Sequence, residues 1–265
     1  MSAASKNSIE TRNLHVGYQQ KKSVALIQQN ISIQFVAGEF VCILGKNGIG
    51  KSTLLRTLTG VQDAISGDVI INGRNINSYN FKELSTIISL VLTERLPDSQ
   101  LTVFDLVALG RQPYTNWVGR LEKNDVAKIK WALEQTETAA LAHRSFHELS
   151  DGQLQRVLIA RALAQDTQII MLDEPTAHLD MHHTIKIFQL LKKLSQETNK
   201  TIIMTTHEVN LAISSADQLI LLTKNEVAAG KKEALIANNA FDDLFSSEIV
   251  NFNATLEQFI VTKKY

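Results

Sequence analysis

The sequence predicts an α/β fold in which a mainly parallel sheet is covered by helices on its faces, with antiparallel strands at the N-terminal end. Three observations carry that prediction. Short, mostly apolar runs recur between segments of helical spacing, among them Phe40–Leu44, Gln168–Leu172, Thr201–Thr205 and Gln218–Thr223. Runs of this kind, without polar alternation, suit strands buried on both faces. One of them leads through GKNGIGKST, Gly45 to Thr53, into a helix-forming segment. Another ends in two adjacent acids, Asp173 and Glu174.

Taken in order, Ile9–Tyr18 reads as a short mixed strand ending in a Gly17-Tyr18 turn. Ile31–Phe35 alternates apolar and polar residues, the mark of a half-buried strand, and Ala37-Gly38-Glu39 turns the chain into the buried strand Phe40–Leu44. A helix is expected over Lys51–Leu58, stopped at Gly60, then a strand Asp68–Ile71 closed by Asn72-Gly73. Ile87–Leu92 is a further buried strand. Thr102 and Asp105 have capping-box spacing and open a short helix ending at Gly110. Asp125–Ala142 is helical by its apolar spacing. Gln153–Ala164, Thr184–Leu194 and Glu208–Ser214 are helices between the later strands. The tail is expected to hold a short helix at Ala240–Phe245 and two weak strands, Ile249–Phe252 and Gln258–Val261. These boundaries suggest a core begun by residues 1–94, which carry the glycine-rich loop, an inserted helical subdomain over 95–148, and completion of the core by 149–265 with the adjacent acids.

Bulk composition narrows the function. Lys plus Arg and Asp plus Glu both total 27, so the net charge is zero and no global attraction to nucleic acid operates. The single cysteine, Cys42, lies within an apolar run and excludes an intramolecular disulfide framework, which fits a reducing compartment. Met1–Asn13 is polar and unlike a signal peptide. No apolar run reaches the length of roughly 18 residues that a membrane-spanning helix needs.

Gly45–Ser52 fits G-x-x-x-x-G-K-[ST], between a buried strand and a helix. Glycines let backbone N–H groups turn inward around an anion, and the helix start adds partial positive charge. The expected ligand is a nucleoside triphosphate held by Gly45, Lys46, Asn47, Gly48, Ile49, Gly50, Lys51, Ser52 and Thr53. Lys51 would reach the β- and γ-phosphates, Ser52 would ligate Mg²⁺, and Thr53 would meet the α-phosphate. At the end of the later strand, Asp173 is the natural second Mg²⁺ partner. Glu174 can orient and deprotonate a water in line with the γ-phosphate.

Leu149-Ser150-Asp151-Gly152-Gln153, about twenty residues before the acid pair, resembles the LSGGQ signature of ATP-binding cassette (ABC) ATPases. Ser150 and Gln153 also fit a helix capping box. The resemblance implies that Ser150, Gly152 and Gln153 complete the ATP site of the opposite subunit in a homodimer. Asp151 departs from the pattern and would set an acid near that site. By the same resemblance, Tyr18 stacks on adenine. Asp180, in Ala177-His178-Leu179-Asp180, is the D-loop acid, and His207 is the switch histidine that contacts the γ-phosphate. The family's Mg²⁺-binding glutamine has no counterpart; its place falls to Thr93, or to Glu94 beside it. The other histidines, including His182 and His183, read as surface.

Thr102–Tyr114, TVFDLVALGRQPY, is similar to a stretch of importer ATPases that serve iron-siderophore, haem and cobalamin permeases. That likeness implies an ATPase using ATP and Mg²⁺, peripheral on the cytoplasmic face of the plasma (inner) membrane. Its partners would be integral membrane permease subunits and, indirectly, a substrate-binding protein, with no nucleic acid. A nearer rival is the ATPase of another nutrient or metal permease. A soluble ABC ATPase acting on DNA or ribosomes is disfavoured. DNA-repair heads insert a long coiled coil between loop and signature, whereas about a hundred residues without sustained heptads lie here.

Overall fold

A computed structural model describes residues 7–20, 23–92, 99–116, 119–224, 226–245 and 249–262. The chain begins with β1 (Asn7–Gln20), β2 (Ser23–Ile31), β3 (Gln34–Val36) and β4 (Phe40–Gly45), followed by α1 (Lys51–Leu58). Next come β5 (Ser66–Ile71), β6 (Arg74–Asn75), α2 (Phe81–Ser85) and β7 (Ile88–Val91). The middle of the chain is helical: α3 (Val103–Ala108), α4 (Lys123–Gln135) and α5 (Asp151–Ala164). The core resumes with β8 (Ile169–Leu172), α6 (Met181–Thr198), β9 (Thr201–Thr205), α7 (Val209–Ser215) and β10 (Gln218–Leu222). It closes with β11 (Val227–Gly230), α8 (Lys232–Ala237), β12 (Val250–Asn253) and β13 (Gln258–Val261).

The central sheet has the order β11-β10-β4-β9-β8-β7. Its pairs are parallel except for the antiparallel edge between β10 and β11. A second, antiparallel sheet runs β2-β1-β5-β6, with β3 also paired to β1. The expected α/β class with a parallel core and antiparallel N-terminal strands is the one found. Period-two alternation divides the core between the two faces of the parallel sheet. Phe40, Cys42, Leu44, Ile170, Leu172, Ile202 and Met204 pack with α3 to α7 on one side. Val41, Ile43, Ile169, Met171, Ile203 and Ile220 pack with α1 and the antiparallel sheet on the other. Burial of Cys42 among these residues pushes its thiol up and leaves it inert.

Several elements differ from expectation, each for a local reason. Gly17-Tyr18 is strand and not a turn: Gly17 lies opposite Leu26, where an added Cβ would strike the Ala25 carbonyl. Ile31–Phe35 is not one strand. Thr11 Oγ1 donates to the Ile31 carbonyl at 2.9 Å and accepts from the Ile33 N–H at 3.0 Å, so the chain leaves β2 and re-pairs as β3 on the other half of β1. α4 stops at Gln135 and does not reach Ala142. Buried Thr136 bonds back to the Ala132 carbonyl at 3.0 Å, and Glu137 adopts φ 56, which ends the helix. The tail helix is α8, earlier than expected. Asn239 at φ 53 breaks it, and residues 240–245 form turns that bury Phe241 and Leu244. β2, β11 and α2 were absent from the sequence expectation.

Within the GRQPY stretch, Gly110 and Arg111 are buried, whereas Gln112 and Tyr114 are exposed. Arg111 donates through Nε to Asp125 Oδ1 at 2.9 Å and through Nη1 to the Ala164 carbonyl at 2.8 Å, and its guanidinium lies 4.1 Å over the Tyr114 ring. One side chain thereby joins the turn after α3 to both α4 and the end of α5. No helix among the described residues is long and apolar enough to cross a membrane.

Candidate functional site

β4 delivers the chain to Gly45, and the next five residues turn it into α1. Gly48 at φ 76 and Gly50 at φ 112 take left-handed conformations that cost a residue with Cβ far more. Gly50 must also be small, because Ile27 Cγ2 sits 2.5 Å from where its Cβ would be. The Ile49 N–H closes the loop on the Lys46 carbonyl at 3.2 Å. α1 starts without any side-chain cap, so its first N–H groups are left for another acceptor. They face an open cleft of about 420 Å³ lined by Tyr18, Ile27, Gly50, Lys51, Thr53 and Glu174, among others.

Lys51 is buried on the cleft floor. Its Nζ donates to the Gly45 carbonyl at 3.1 Å and lies 3.3 Å from Glu174 Oε1. Ser52 Oγ donates to Asp173 Oδ1 at 2.8 Å. Thr205, at the end of β9, donates to the same oxygen at 2.7 Å and accepts the Glu174 N–H at 2.8 Å. Thr205 thus sets both acids, and Glu174 is held at φ 43. The sequence reading missed Thr205; the one available signal was a polar residue ending a strand whose register puts Met204 beside Leu172.

Two carboxylates and one ammonium leave the floor with a net charge of minus one, which repels a polyphosphate. A divalent cation reverses that sign. The Ser52 hydroxyl and Asp173 carboxylate are hard oxygen donors in contact, the set that suits Mg²⁺ when phosphate and water supply the remaining ligands. Among the described residues no cluster of three or more His, Cys, Asp or Glu could hold a metal ion.

The structure brings Tyr18, the glycine-rich loop, Lys51, Ser52, Thr53, Asp173 and Glu174 together. Tyr18 stands half exposed at the cleft mouth, its hydroxyl 3.1 Å from Thr53 Oγ1. His207 is not among them. It faces a neighbouring cleft of about 710 Å³ that it shares with Lys46, Leu179, Met181 and Phe259, and its Nε2 lies 3.3 Å from Glu208 Oε1. Ser150, Gly152 and Gln153 do not line the phosphate cleft either. Ser150 caps α5: its N–H donates to Gln153 Oε1 at 3.0 Å, and its Oγ accepts from the Gln153 N–H at 3.4 Å. Asp151 is exposed in the first turn of α5, where an acid complements the helix dipole. Asp180 caps α6 by accepting the His183 N–H at 2.8 Å, and lies 2.9 Å from the ring Nδ1. Those bonds, backbone first, hold its carboxyl below the usual range. His183 has a structural part that the surface reading did not give it, because its ring also packs on Gly152, 2.5 Å from where a Cβ would stand. Thr93 and Glu94 lie outside the described residues.

The sequence model of a family described as ABC transporter matches residues 28–177. The iron(3+)-hydroxamate import ATP-binding protein FhuC of Bacillus subtilis is 38% identical over 221 residues, covering 83% of this chain and 81% of that protein. The achromobactin transport ATP-binding protein CbrD of Dickeya dadantii is 38% identical over 235 residues, covering 88% and 85%. Among solved structures, the MJ0796 cassette, a dimer in a post-hydrolysis state bound to ADP and phosphate, superposes with a TM-score of 0.71. It shares 31% identity and covers 84% of this chain and 98% of its own.

Proposed function

The chain is a member of the ABC transporter family and an ATP-binding ATPase, and from that premise we propose that it powers import of an iron-siderophore, haem or cobalamin-type substrate through a separate permease. The observation that carries the ATP-hydrolysing part is the open cleft in which uncapped α1 amides, Lys51, the Ser52–Asp173 pair and Glu174 converge. The substrate class is supported by the relatives that serve hydroxamate and achromobactin uptake.

In this reading, ATP enters with its base against Tyr18 and its phosphates over the start of α1. The loop amides and Lys51 take the phosphate oxygens. Ser52 and Asp173 would hold Mg²⁺, which supplies charge neutralisation at the β- and γ-phosphates when bound. Once phosphate draws Lys51 away from it, Glu174 is released to take a proton from water attacking the γ-phosphate. One chain offers donors only from below. A second copy, placed head to tail, supplies Ser150, Gly152 and Gln153 from above, and closure excludes water. Asp180 and His207 belong to the same facing surface. Hydrolysis removes the charge that joins the halves, and the permease follows their separation. The location is the cytoplasmic side of the membrane, with the permease as anchor.

The test is reconstitution of the chain with its co-purified membrane partner in liposomes. ATP-dependent uptake of a ferric hydroxamate is expected, and a Glu174→Gln variant should bind ATP normally but hydrolyse it at least about 100-fold more slowly. Hydrolysis at the parental rate would remove Glu174 as the base. Uptake of a different solute class would retire the siderophore reading while leaving the ATPase intact.

A further inference from the structure

We propose that Gln28, on β2, is a positioning residue that aims one peptide of the glycine-rich loop at the phosphates. Gln28 is buried, and its amide Nε2 donates to two main-chain oxygens: Ile49 O at 3.1 Å and Thr223 O at 2.8 Å. Thr223 follows β10 at the point where Leu222 pairs with Gly45, so this end of the sheet is fixed. Its own N–H and hydroxyl both donate to the Glu226 carbonyl, at 3.1 and 2.9 Å. One side chain therefore ties the middle of the loop to rigid strand.

The consequence follows from peptide geometry. In a planar trans peptide the C=O of one residue and the N–H of the next point in opposite directions. Holding the Ile49 carbonyl toward Gln28 turns the Gly50 N–H the other way, toward the cleft that Gly50 lines. Without that anchor the peptide can rotate about ψ of Ile49 and φ of Gly50, and Gly50, at φ 112, tolerates the alternatives as glycine does. A rotated peptide would present a carbonyl oxygen to the phosphates, replacing an attraction with a repulsion. The ordinary alternative is a buried glutamine that merely satisfies two carbonyls. The two readings differ in what they predict for nucleotide selectivity.

This inference rests on the cleft being the ATP site, and the test separates the two. Gln28→Met keeps length and volume but cannot donate; Gln28→Glu places a carboxylate against two carbonyls. ATP and AMP affinities of the full chain are measured by calorimetry, with thermal melting as the check on folding and steady-state hydrolysis for KM and kcat. The expected result for Gln28→Met is an intact fold, ATP binding and KM weakened about tenfold, AMP binding and kcat within about twofold of the parent, and a larger ATP loss for Gln28→Glu. If Gln28→Met does not fold, Gln28→Asn, with its donor on a shorter arm, is judged by the same measurements. ATP binding at parental strength in a folded variant overturns the inference, as does an equal loss for ATP and AMP. A parent whose ATP binding is insensitive to Lys51→Ala overturns the cleft reading and this inference with it.

Discussion

Lys51 shows how one residue serves two states. Its buried ammonium is balanced by Glu174 at 3.3 Å and by the Gly45 carbonyl at 3.1 Å, a pairing that keeps a cation on the floor of the cleft. Phosphate oxygens can take over that role, which frees the carboxylate. Lys51→Ala is therefore expected to weaken ATP about 10- to 100-fold, the value of about 1.5–3 kcal/mol for bonds to charged groups. Calorimetry checks this, and unchanged affinity would contradict the phosphate cradle. Lys51, Ser52, Asp173 and Glu174 were legible in the sequence because each lies in a short motif at the end of an apolar strand. Thr205, Gln28 and His183 were not. Their partners lie 31 and 32 residues away for Thr205, 21 and 195 for Gln28, and 31 for the contact of His183 with Gly152, and no short motif marks a lone threonine, glutamine or histidine for such contacts.

At the scale of elements, the helical segment is held by the Arg111–Asp125 pair, which links the turn after α3 to the first turn of α4. Burial pushes the Asp125 carboxyl up, but the Glu122 N–H and the Arg111 guanidinium outweigh it, and the group sits below its ordinary value. Its stabilising contribution is thus full above the unfolded value of about 3.9 and is lost as pH falls through the lower, folded value. Asp125→Asn leaves a buried guanidinium without its counter-charge, a change that costs about 3–5 kcal/mol where a buried pair is broken. Thermal melts should show the variant several degrees less stable at pH 7, with a smaller further loss on acidification than the parent. A parallel shift of both curves at every pH would show that the pair contributes nothing through charge. The clamp also gives GRQPY a structural part: Arg111 within it holds the turn after α3, α4 and α5 together, while Gln112 and Tyr114 stay exposed.

At the scale of the molecule, an open groove lies beside that clamp. Phe81, Leu109, Pro113 and Gln165 line a groove of about 590 Å³ between α2, the turn after α3 and the end of α5. Phe81 is 83% exposed, a large apolar side chain at no cost to the fold of the monomer. One substitution tests this groove as a contact for the permease of the proposed importer. Phe81→Glu is expected to leave ATP hydrolysis by the isolated chain unchanged while reducing reconstituted uptake at least tenfold, as loss of an aromatic anchor does at an interface. Full uptake by the variant would place the permease elsewhere.

The sequence alone determined the α/β class, the glycine-rich turn from β4 into α1, the acids ending β8 and the cap of α5. Each of these depends on spacing within a few residues, where backbone sterics and side-chain period leave little choice. Tertiary structure decided which distant groups complete them: Thr205 on Asp173, Gln28 on Ile49, His183 between Asp180 and Gly152, and His207 turned into a neighbouring cleft. Those contacts follow from strand order and packing, which bring together residues whose separation along the chain carries no local signal.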